Sequence, residues 1–232
     1  MAKERKPAAA SAEIEQEIKL RLPLRDLEQV FRALRKSAIE GKVRHQYLSR
    51  AYYDSRDLIL YRHNISLRLQ YKPGSDGRLG GYEQTVKFDL APGVGATAGT
   101  FFRKECRDAL TGAAPSLARI SDPEARVRAR HFRLKKMEHI FTAAVERRAL
   151  ELVIGRGKAR GRVEIAFDVG EIILSTGKRY PFSEIEIEMI AGDSSALSRV
   201  AEKILKLAPK ARLQSLSKAQ QGSRLFQRNA RA

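Results

Sequence analysis

The chain has 232 residues, 43% of them hydrophobic, and a formal net charge of +18. This hydrophobic fraction is typical of a folded globular protein and excludes a disordered one. The single cysteine, Cys106, excludes an intrachain disulfide and favours a reducing compartment. Residues 1–12 lack the apolar run of a secretory signal, and no stretch of about 18 apolar residues predicts a transmembrane helix. We therefore expect a cytoplasmic protein that does not enter a membrane.

The large positive charge indicates affinity for a polyanion. Nucleic acid, polyphosphate, nucleotides and an anionic membrane surface all suit such a charge. The charge is also explained if it serves only to keep the protein soluble. The net charge does not identify the ligand, so the arrangement of residues in the predicted elements is needed to distinguish these alternatives.

The predicted elements form one domain, 13–226, between a disordered basic tail at 1–12 and a second disordered tail at 227–232. Helices are predicted from apolar stripes at helical spacing, and strands from alternation with period two. In chain order the sequence predicts a strand at 14–22, a helix at 24–39, strands at 47–54, 64–72, 80–89 and 100–106, helices at 107–112 and 122–130, strands at 138–153, 161–168, 171–177 and 182–190, and a helix at 193–207.

Several of the predicted strands have one apolar face and one charged face. In the first strand, Glu15, Glu17 and Lys19 share a face, because alternate side chains of a strand point the same way. In the last strand, Glu186 and Glu188 belong to a second carboxylate row. The two rows lie near opposite ends of the chain, so only the fold can bring them together.

Two architectures explain these strands. An open antiparallel sheet would keep its charged face in water. The amphipathic helices must also bury their apolar stripes, however. If they cover the outside of a closed sheet, the charged faces turn inward and line a polar lumen that can hold a charged ligand.

A lumen with both acids and bases suits a metal-bound phosphate ligand. Carboxylates hold Mg²⁺ or Mn²⁺ through oxygen, and Lys or Arg side chains neutralise the phosphate oxygens that the metal does not reach. The candidate metal ligands are Glu15, Glu17, Asp168, Glu186 and Glu188. The candidate phosphate-binding cations are Lys19, Arg68, Lys72, Lys87, Arg103, Arg147 and Lys218.

A series of short motifs follows in order along the chain. The series is Glu15-x-Glu17-x-Lys19, Tyr52-Tyr53-Asp54, Leu67-Arg68-Leu69-Gln70, Thr85-Val86-Lys87, Arg103-Lys104-Glu105, a central Arg147 or Arg148, Asp168-Val169-Gly170 before a tight turn, Glu186-x-Glu188 and Ser217-Lys218. In order and spacing this series resembles the CYTH superfamily, also called triphosphate tunnel metalloenzymes. The resemblance covers about residues 13–226, and the segment 83–87 is most similar to bacterial inorganic triphosphatases.

The resemblance implies an α+β fold in which a closed eight-stranded antiparallel β-barrel forms a tunnel with helices packed outside. It also implies a divalent-metal-dependent triphosphatase that uses Mg²⁺ or Mn²⁺ and acts on inorganic triphosphate or an organic triphosphate. The implied catalytic residues are Glu15, Glu17, Glu186 and Glu188. The implied substrate-binding residues are Lys19, Arg68, Lys87, Arg103, Arg147 and Lys218.

The chain departs from the family pattern at two positions. Gln70 stands where the family usually has a second arginine, and Gln221 stands where an arginine often follows the Ser-Lys pair. A glutamine can donate hydrogen bonds to phosphate but brings no charge. Lys72, on the same strand face as Gln70, is a candidate to compensate.

Two other functions remain open on the sequence. Some members of the family cyclise ATP to cyclic AMP, which makes a class IV adenylate cyclase the alternative enzyme. The other alternative is a non-catalytic module that binds polyphosphate or RNA. Carboxylates that face a polyanion repel it unless a metal intervenes, so the acid rows favour the enzyme and make nucleic acid the less favoured partner.

Overall fold

A computed structural model describes residues 11–39, 42–74, 80–90, 100–132 and 136–230. The strands are β1 (Ser11–Arg21), β2 (Arg44–Asp54), β3 (Ile65–Lys72), β4 (Gly81–Asp89), β5 (Thr100–Leu110), β6 (Glu138–Ile154), β7 (Gly161–Leu174), β8 (Arg179–Gly192) and β9 (Arg212–Leu213). The helices are α1 (Leu24–Arg35), α2 (Ile59–Arg62), α3 (Pro123–Ala129), α4 (Ser195–Leu207) and α5 (Lys218–Asn229).

The sheet closes on itself. Its strand order is β5-β4-β3-β2-β6-β7-β8-β1-β9, and β5 also pairs with β1. This last ladder is antiparallel and joins Ser11 to Arg107 at one end and Ile18 to Thr100 at the other. Because β9 has only two residues, the barrel itself consists of eight strands. The closed antiparallel barrel expected from the sequence is confirmed.

Helices α1 and α4 cover one side of the barrel. Helix α1 begins after Pro23 and buries Leu27, Val30, Phe31 and Leu34. These side chains pack with those of α4 on the apolar outer faces of β1, β6, β7 and β8. Since apolar and charged residues alternate along these strands, burying one face outside turns the other face into the lumen. The helices therefore decide which way the charges point.

A second apolar cluster lies outside β3, β4 and β5. There Leu67, Val86 and Cys106 pack with Ala125 and Ala129 of α3. A third cluster lies at the end of the barrel interior. In it Phe141, Ala143 and Val145, which alternate in phase with Arg147, pack with side chains of α5. Apolar residues thus fill part of the interior and leave the charged part as the tunnel.

Three sequence predictions of secondary structure were wrong. The segment 107–112 is not a helix, because β5 continues through Leu110, which pairs with Tyr82 of β4. The predicted strands 161–168 and 171–177 are one strand, β7, and no turn follows Asp168. Gly170 suggested that turn, but it serves close packing instead: a Cβ there would lie 2.1 Å from the Ala144 carbonyl oxygen.

Helix α5 was missed by the sequence analysis. It occupies Lys218–Asn229 and therefore extends into the segment 227–232 that was assigned to a tail. The local signal is a capping box: Gln220 N–H donates to Ser217 Oγ at 3.2 Å, and Ser217 N–H donates to Gln220 Oε1 at 2.9 Å. Among the described residues, no helix combines the length and apolar character that a bilayer span requires.

Candidate active site

The barrel encloses a cavity of about 220 Å³ whose wall is almost entirely polar. It is lined by Glu15, Glu17, Lys19, Arg50, Tyr52, Ser66, Arg68, Lys87, Arg103, Glu105, Arg107, Arg147, Glu164, Glu186, Glu188, Ser217, Lys218 and Ala219. All of the residues that the family resemblance assigned to substrate binding are in this lining, and so are the four carboxylates assigned to catalysis. Closure of the sheet therefore brings the N-terminal and C-terminal motifs to one place.

Two of the sequence candidates lie outside the cavity lining. Asp168 is fully buried in the wall and reaches the cavity only through its cationic partners. Lys72 is exposed at the adjoining mouth of the tunnel, where it pairs with Glu83 at 3.1 Å. Arg148, the alternative central arginine, stacks on Phe31 outside the barrel at 4.2 Å from the ring centre. Arg147 is therefore the tunnel arginine of β6.

The acids of β1 are neutralised by neighbouring cations. Lys87 donates to both oxygens of Glu15, at 2.7 and 2.8 Å. Glu17 pairs with Arg103, and its other oxygen lies 2.9 Å from the Lys19 ammonium. These five side chains form a continuous row of alternating charge along the lumen.

Glu105 is a tunnel residue to which the sequence analysis assigned no role. It accepts from Arg68 at 3.1 Å and from Arg107 Nε at 2.8 Å, and it also pairs with Lys87. Burial opposes the charge of Glu105, but Lys87 and Arg68 outweigh it and hold the pKa of this carboxyl far below its usual range. The Arg-x-Glu motif at 103–105 could have identified Glu105 from the sequence, because Glu105 shares a strand face with Arg103.

Lys218 lies among three buried carboxylates. Its Nζ donates to Asp168 at 2.7 Å, to Glu186 at 2.8 Å, and to Glu184. Burial disfavours the charge on Lys218, yet the three carboxylates raise its pKa above the ordinary value. The capping box places this lysine in the first turn of α5 and so explains how it enters the tunnel.

Arg147 completes this cluster. Its Nε and Nη2 donate to the two oxygens of Asp168, at 2.7 and 2.6 Å, and Nη2 also donates to Glu186. Burial raises the pKa of Glu186, but Lys19, Lys218 and Arg147 together hold it well below the ordinary value. The two parallel hydrogen bonds from Arg147 to Asp168 fix the plane of the guanidinium group.

A possible cation site lies within the same cluster. Oxygens of Asp168, Glu184 and Glu186 all lie within 4.8 Å of one another, and carboxylate oxygens are the donors that hard divalent ions prefer. Glu184 was not among the sequence candidates for metal ligands. The ammonium of Lys218 now lies among these oxygens, so a metal ion here would have to displace it.

Glu188 differs from the other tunnel acids. In the described part of the chain no lysine or arginine forms an ion pair with it, although it is largely buried. Burial and the neighbouring charge of Glu15 raise the pKa of Glu188 to about 7. It is the direct partner of Glu17 across the β1–β8 ladder. Negative charge is therefore in excess at this point, which favours a cation.

Arg50 is a second tunnel residue that the sequence analysis missed. It extends from β2 into the cavity, and its Nε donates to Gln70 Oε1 at 3.3 Å. Burial and the positive charges of Arg68 and Arg147 lower its pKa to about 10. The other departure from the family pattern, Gln221, donates to Glu184 at 3.3 Å and so supports the Lys218 cluster.

Tyr52 lies between these cations and the apolar end of the barrel. Its ring stacks on Phe141 with 4.4 Å between centroids. Burial would raise the pKa of Tyr52, but Arg68, Arg50 and Lys218 lower it below the ordinary value. A hydroxyl in such a positive field is suited to contact an anion.

Comparisons with known proteins agree with this geometry. The family model of the CYTH domain matches residues 13–223. No functionally curated protein shows significant sequence similarity to the chain. A candidate adenylate cyclase from Bacillus halodurans has a similar structure, with a TM-score of 0.58, 18% identity, and coverage of 90% of this chain and 97% of that one.

A second solved structure is similar to the same extent. It is HpAC1 from Hippeastrum, a candidate adenylyl cyclase described as having a dominant triphosphatase activity. The TM-score is 0.57 with 16% identity, and the alignment covers 93% of this chain and 96% of that chain. At such identities the two structures establish a shared fold and no more.

Proposed function

Since the CYTH domain model spans residues 13–223, the chain belongs to the CYTH domain family, and from this premise we propose that it is a divalent-metal-dependent triphosphatase. The observation that carries the proposal is the closed tunnel in which cations and carboxylates alternate around one cavity. Cations alone would suit any polyanion. The buried acids beside them suit a phosphate ligand that arrives with a metal ion.

Inorganic triphosphate is the proposed preferred substrate. The cavity of about 220 Å³ is small, and its wall is charged on nearly every side. Pockets for organic ligands are roughly 300–1,000 Å³ and mostly apolar. A chain of phosphate groups therefore suits this wall better than a nucleoside does, although an organic triphosphate could leave its organic part in the mouth of the tunnel.

The cations of the lumen bind and orient the substrate in this proposal. They are Lys19, Arg68, Lys87, Arg103, Arg147 and Lys218. Each now contacts one or more carboxylates, so a phosphate oxygen would take the place of a carboxylate oxygen as the acceptor. The exchange keeps every buried cation paired, which avoids the cost of an uncompensated charge.

The carboxylates Glu15, Glu17, Glu186 and Glu188 would hold the metal, with Asp168 fixing Arg147 and Lys218 behind them. Carboxylate oxygens are the donors that Mg²⁺ and Mn²⁺ prefer, and the excess negative charge at Glu188 supports this placement. A divalent ion bound there supplies charge neutralisation on the phosphate oxygens and lowers the pKa of a bound water.

Glu188 is the proposed proton acceptor. Water attacks the terminal phosphorus, the bridging P–O bond breaks, and the products are orthophosphate and diphosphate. The proton of the attacking water passes to a carboxylate oxygen of Glu188. Glu188 is proposed for this role because, among the described residues, no lysine or arginine forms an ion pair with it, so a carboxylate oxygen is available to accept the proton.

Phosphate release from tripolyphosphate, ATP and thiamine triphosphate tests the function. Each substrate is offered with Mg²⁺, with Mn²⁺ and with EDTA, and cyclic AMP is measured in the ATP reactions. We expect metal-dependent release that is fastest with tripolyphosphate. Cyclic AMP as the main product would establish the cyclase instead. Tight binding of tripolyphosphate without turnover of any substrate would establish a non-catalytic module.

A further inference from the structure

Arg50 is the exception among the cations of the tunnel. Within the described residues, every other lysine or arginine that lines the cavity forms a salt bridge with a carboxylate. Arg50 forms no salt bridge with any described residue, and its hydrogen-bond partner is the neutral side chain of Gln70. A largely buried guanidinium without an anion is costly, so such a residue usually serves an anion that is not part of the chain.

The surroundings of Arg50 are positive. Burial and the positive charges of Arg68 and Arg147 lower the pKa of Arg50, and they outweigh Tyr52 and Asp168, which raise it. The Nε of Arg68 is also buried without a hydrogen-bond partner among the described residues. Arg50, Arg68 and Arg147 all line the cavity, and so does Tyr52, whose ring stacks on Phe141.

The backbone explains why Gln70 and Arg50 meet. The two residues are direct partners in the antiparallel β2–β3 ladder, and both side chains point toward the lumen. Side chains of such partners start about 5 Å apart, so either position can deliver a cation to nearly the same point. The charge that Gln70 does not bring is therefore present on the neighbouring strand.

We propose that Arg50 is a substrate-binding residue that takes a phosphate group of the substrate, and that Gln70 is a positioning residue that aims its guanidinium. This proposal rests on the proposed function for the identity of the ligand, a chain of phosphate groups. Within the described part of the chain, Arg50 is the tunnel cation from which no carboxylate has to be displaced when phosphate binds. Arg50 therefore acts mainly on substrate affinity.

Binding of tripolyphosphate to catalytically idle protein tests the proposal. Kd is measured by calorimetry in Ca²⁺ or EDTA for the wild type, Arg50→Gln, Gln70→Arg combined with Arg50→Gln, and the control Arg179→Gln. Arg179 is exposed and pairs with Glu171 outside the tunnel, so its variant loses the same charge elsewhere. Thermal unfolding of each variant shows that the fold persists.

We expect Arg50→Gln to raise Kd by about 10- to 100-fold, the loss of one charge-assisted contact. In hydrolysis assays the same variant should raise KM more than it lowers kcat. The double variant, which moves the cation across the ladder, should recover most of the affinity. Arg179→Gln should stay within about twofold of the wild type, the small effect expected of an exposed charge.

Two results would overturn the proposal. One is a Kd for Arg50→Gln no weaker than that of Arg179→Gln. The other is a double variant as weak as Arg50→Gln alone, which would show that positions 50 and 70 do not deliver a cation to the same phosphate group. If the wild type binds tripolyphosphate but hydrolyses nothing, the proposed function fails while the Kd series still decides the role of Arg50.

Discussion

Glu17 and Glu188 are direct partners across the β1–β8 ladder, although both are carboxylates. Like charges placed opposite one another destabilise a sheet. Glu17 is compensated by Lys19 and Arg103, whereas Glu188 has no such partner among the described residues. A pair of this kind lowers the stability of the metal-free protein. A cation bound at the proposed metal site would relieve the repulsion between the two carboxylates.

Replacing Glu188 with glutamine should stabilise the metal-free protein at high pH. The pKa of Glu188 is about 7 in the folded chain against an ordinary 4.5, so the folded state binds the proton more tightly than the unfolded state. Stability therefore falls as pH rises through this window. The full shift corresponds to about 3 kcal/mol, which solvent screening reduces to about 1–2 kcal/mol.

Urea unfolding in EDTA at pH 4 and pH 8 measures this effect. The gain of Glu188→Gln over the wild type should be present at pH 8 and nearly absent at pH 4. Glu202→Gln, on the exposed side of α4, serves as the matched control. A gain for Glu188→Gln that is equal at the two pH values would contradict the assignment of the raised pKa to Glu188.

The same variant should lose catalytic activity. If Glu188 accepts the proton of the attacking water, Glu188→Gln lowers kcat by about 10²-fold or more. Phosphate release from tripolyphosphate in saturating Mg²⁺ or Mn²⁺ measures the loss, with Glu202→Gln as control. Full activity in a folded Glu188→Gln protein would show that Glu188 is not the residue that accepts the proton.

Glu17→Gln should weaken metal binding while the fold persists. The change leaves the ion pair of Lys19 with Glu186 in place, so the β1–β8 contact persists. We expect a rise of about tenfold or more in the metal concentration that gives half-maximal hydrolysis, because the variant replaces one of the proposed ligand carboxylates with a neutral amide. A titration of activity with Mn²⁺ measures it, and an unchanged midpoint would remove Glu17 from the metal site.

Lys218→Met should destabilise the fold strongly. Lys218 is the shared partner of Asp168, Glu184 and Glu186, and the side chains of Asp168 and Glu184 are at most 1% exposed. Removing one member of a buried ion cluster costs about 3–5 kcal/mol, since the remaining charges are left uncompensated. Chemical denaturation measures the cost, and Lys203→Met on the exposed side of α4 is the control.

Adding Asp168→Asn to Lys218→Met separates charge from packing. The double variant should recover part of the lost stability, because it removes one uncompensated carboxylate. If the double variant has a lower free energy of unfolding than Lys218→Met, Lys218 does not stabilise the fold by compensating the charge of Asp168.

Gly222→Ala should destabilise the packing of α5 against the end of the barrel. A Cβ at Gly222 would lie 2.3 Å from the ring of Phe141, and this ring is fully buried and stacked on Tyr52. Overpacking of this kind costs about 1–3 kcal/mol, which exceeds the gain of about 1 kcal/mol from alanine in a helix. Gly112→Ala, where a Cβ meets nothing within 4 Å, is the control in urea unfolding.

A stabilised Gly222→Ala protein would mean that Phe141 and α5 move apart freely. In that case Lys218, in the first turn of α5, can shift with the helix. The hydrolysis assay on the same variant then shows whether the tunnel depends on that position.

The sequence by itself determined which side chains share a strand face. Alternation with period two places Glu15, Glu17 and Lys19 together, and does the same for Glu186 and Glu188, because the pleat of a strand leaves no other choice. The amphipathic stripes of α1 and α4 determined that the apolar faces turn outward. These local rules were sufficient for the charged face of each strand, whereas closure of the sheet into a barrel was expected from the family resemblance.

Only the tertiary structure decided which charges meet. The β5–β1 and β1–β8 ladders bring distant strands into register, and no local pattern encodes that register. The role of Arg50 depends on its partnership with Gln70 across β2–β3, and the place of Lys218 depends on how α5 docks on Phe141. Ion pairs depend on distances in the folded chain, so only the structure shows that Arg50 and Glu188 form no ion pair within the described residues.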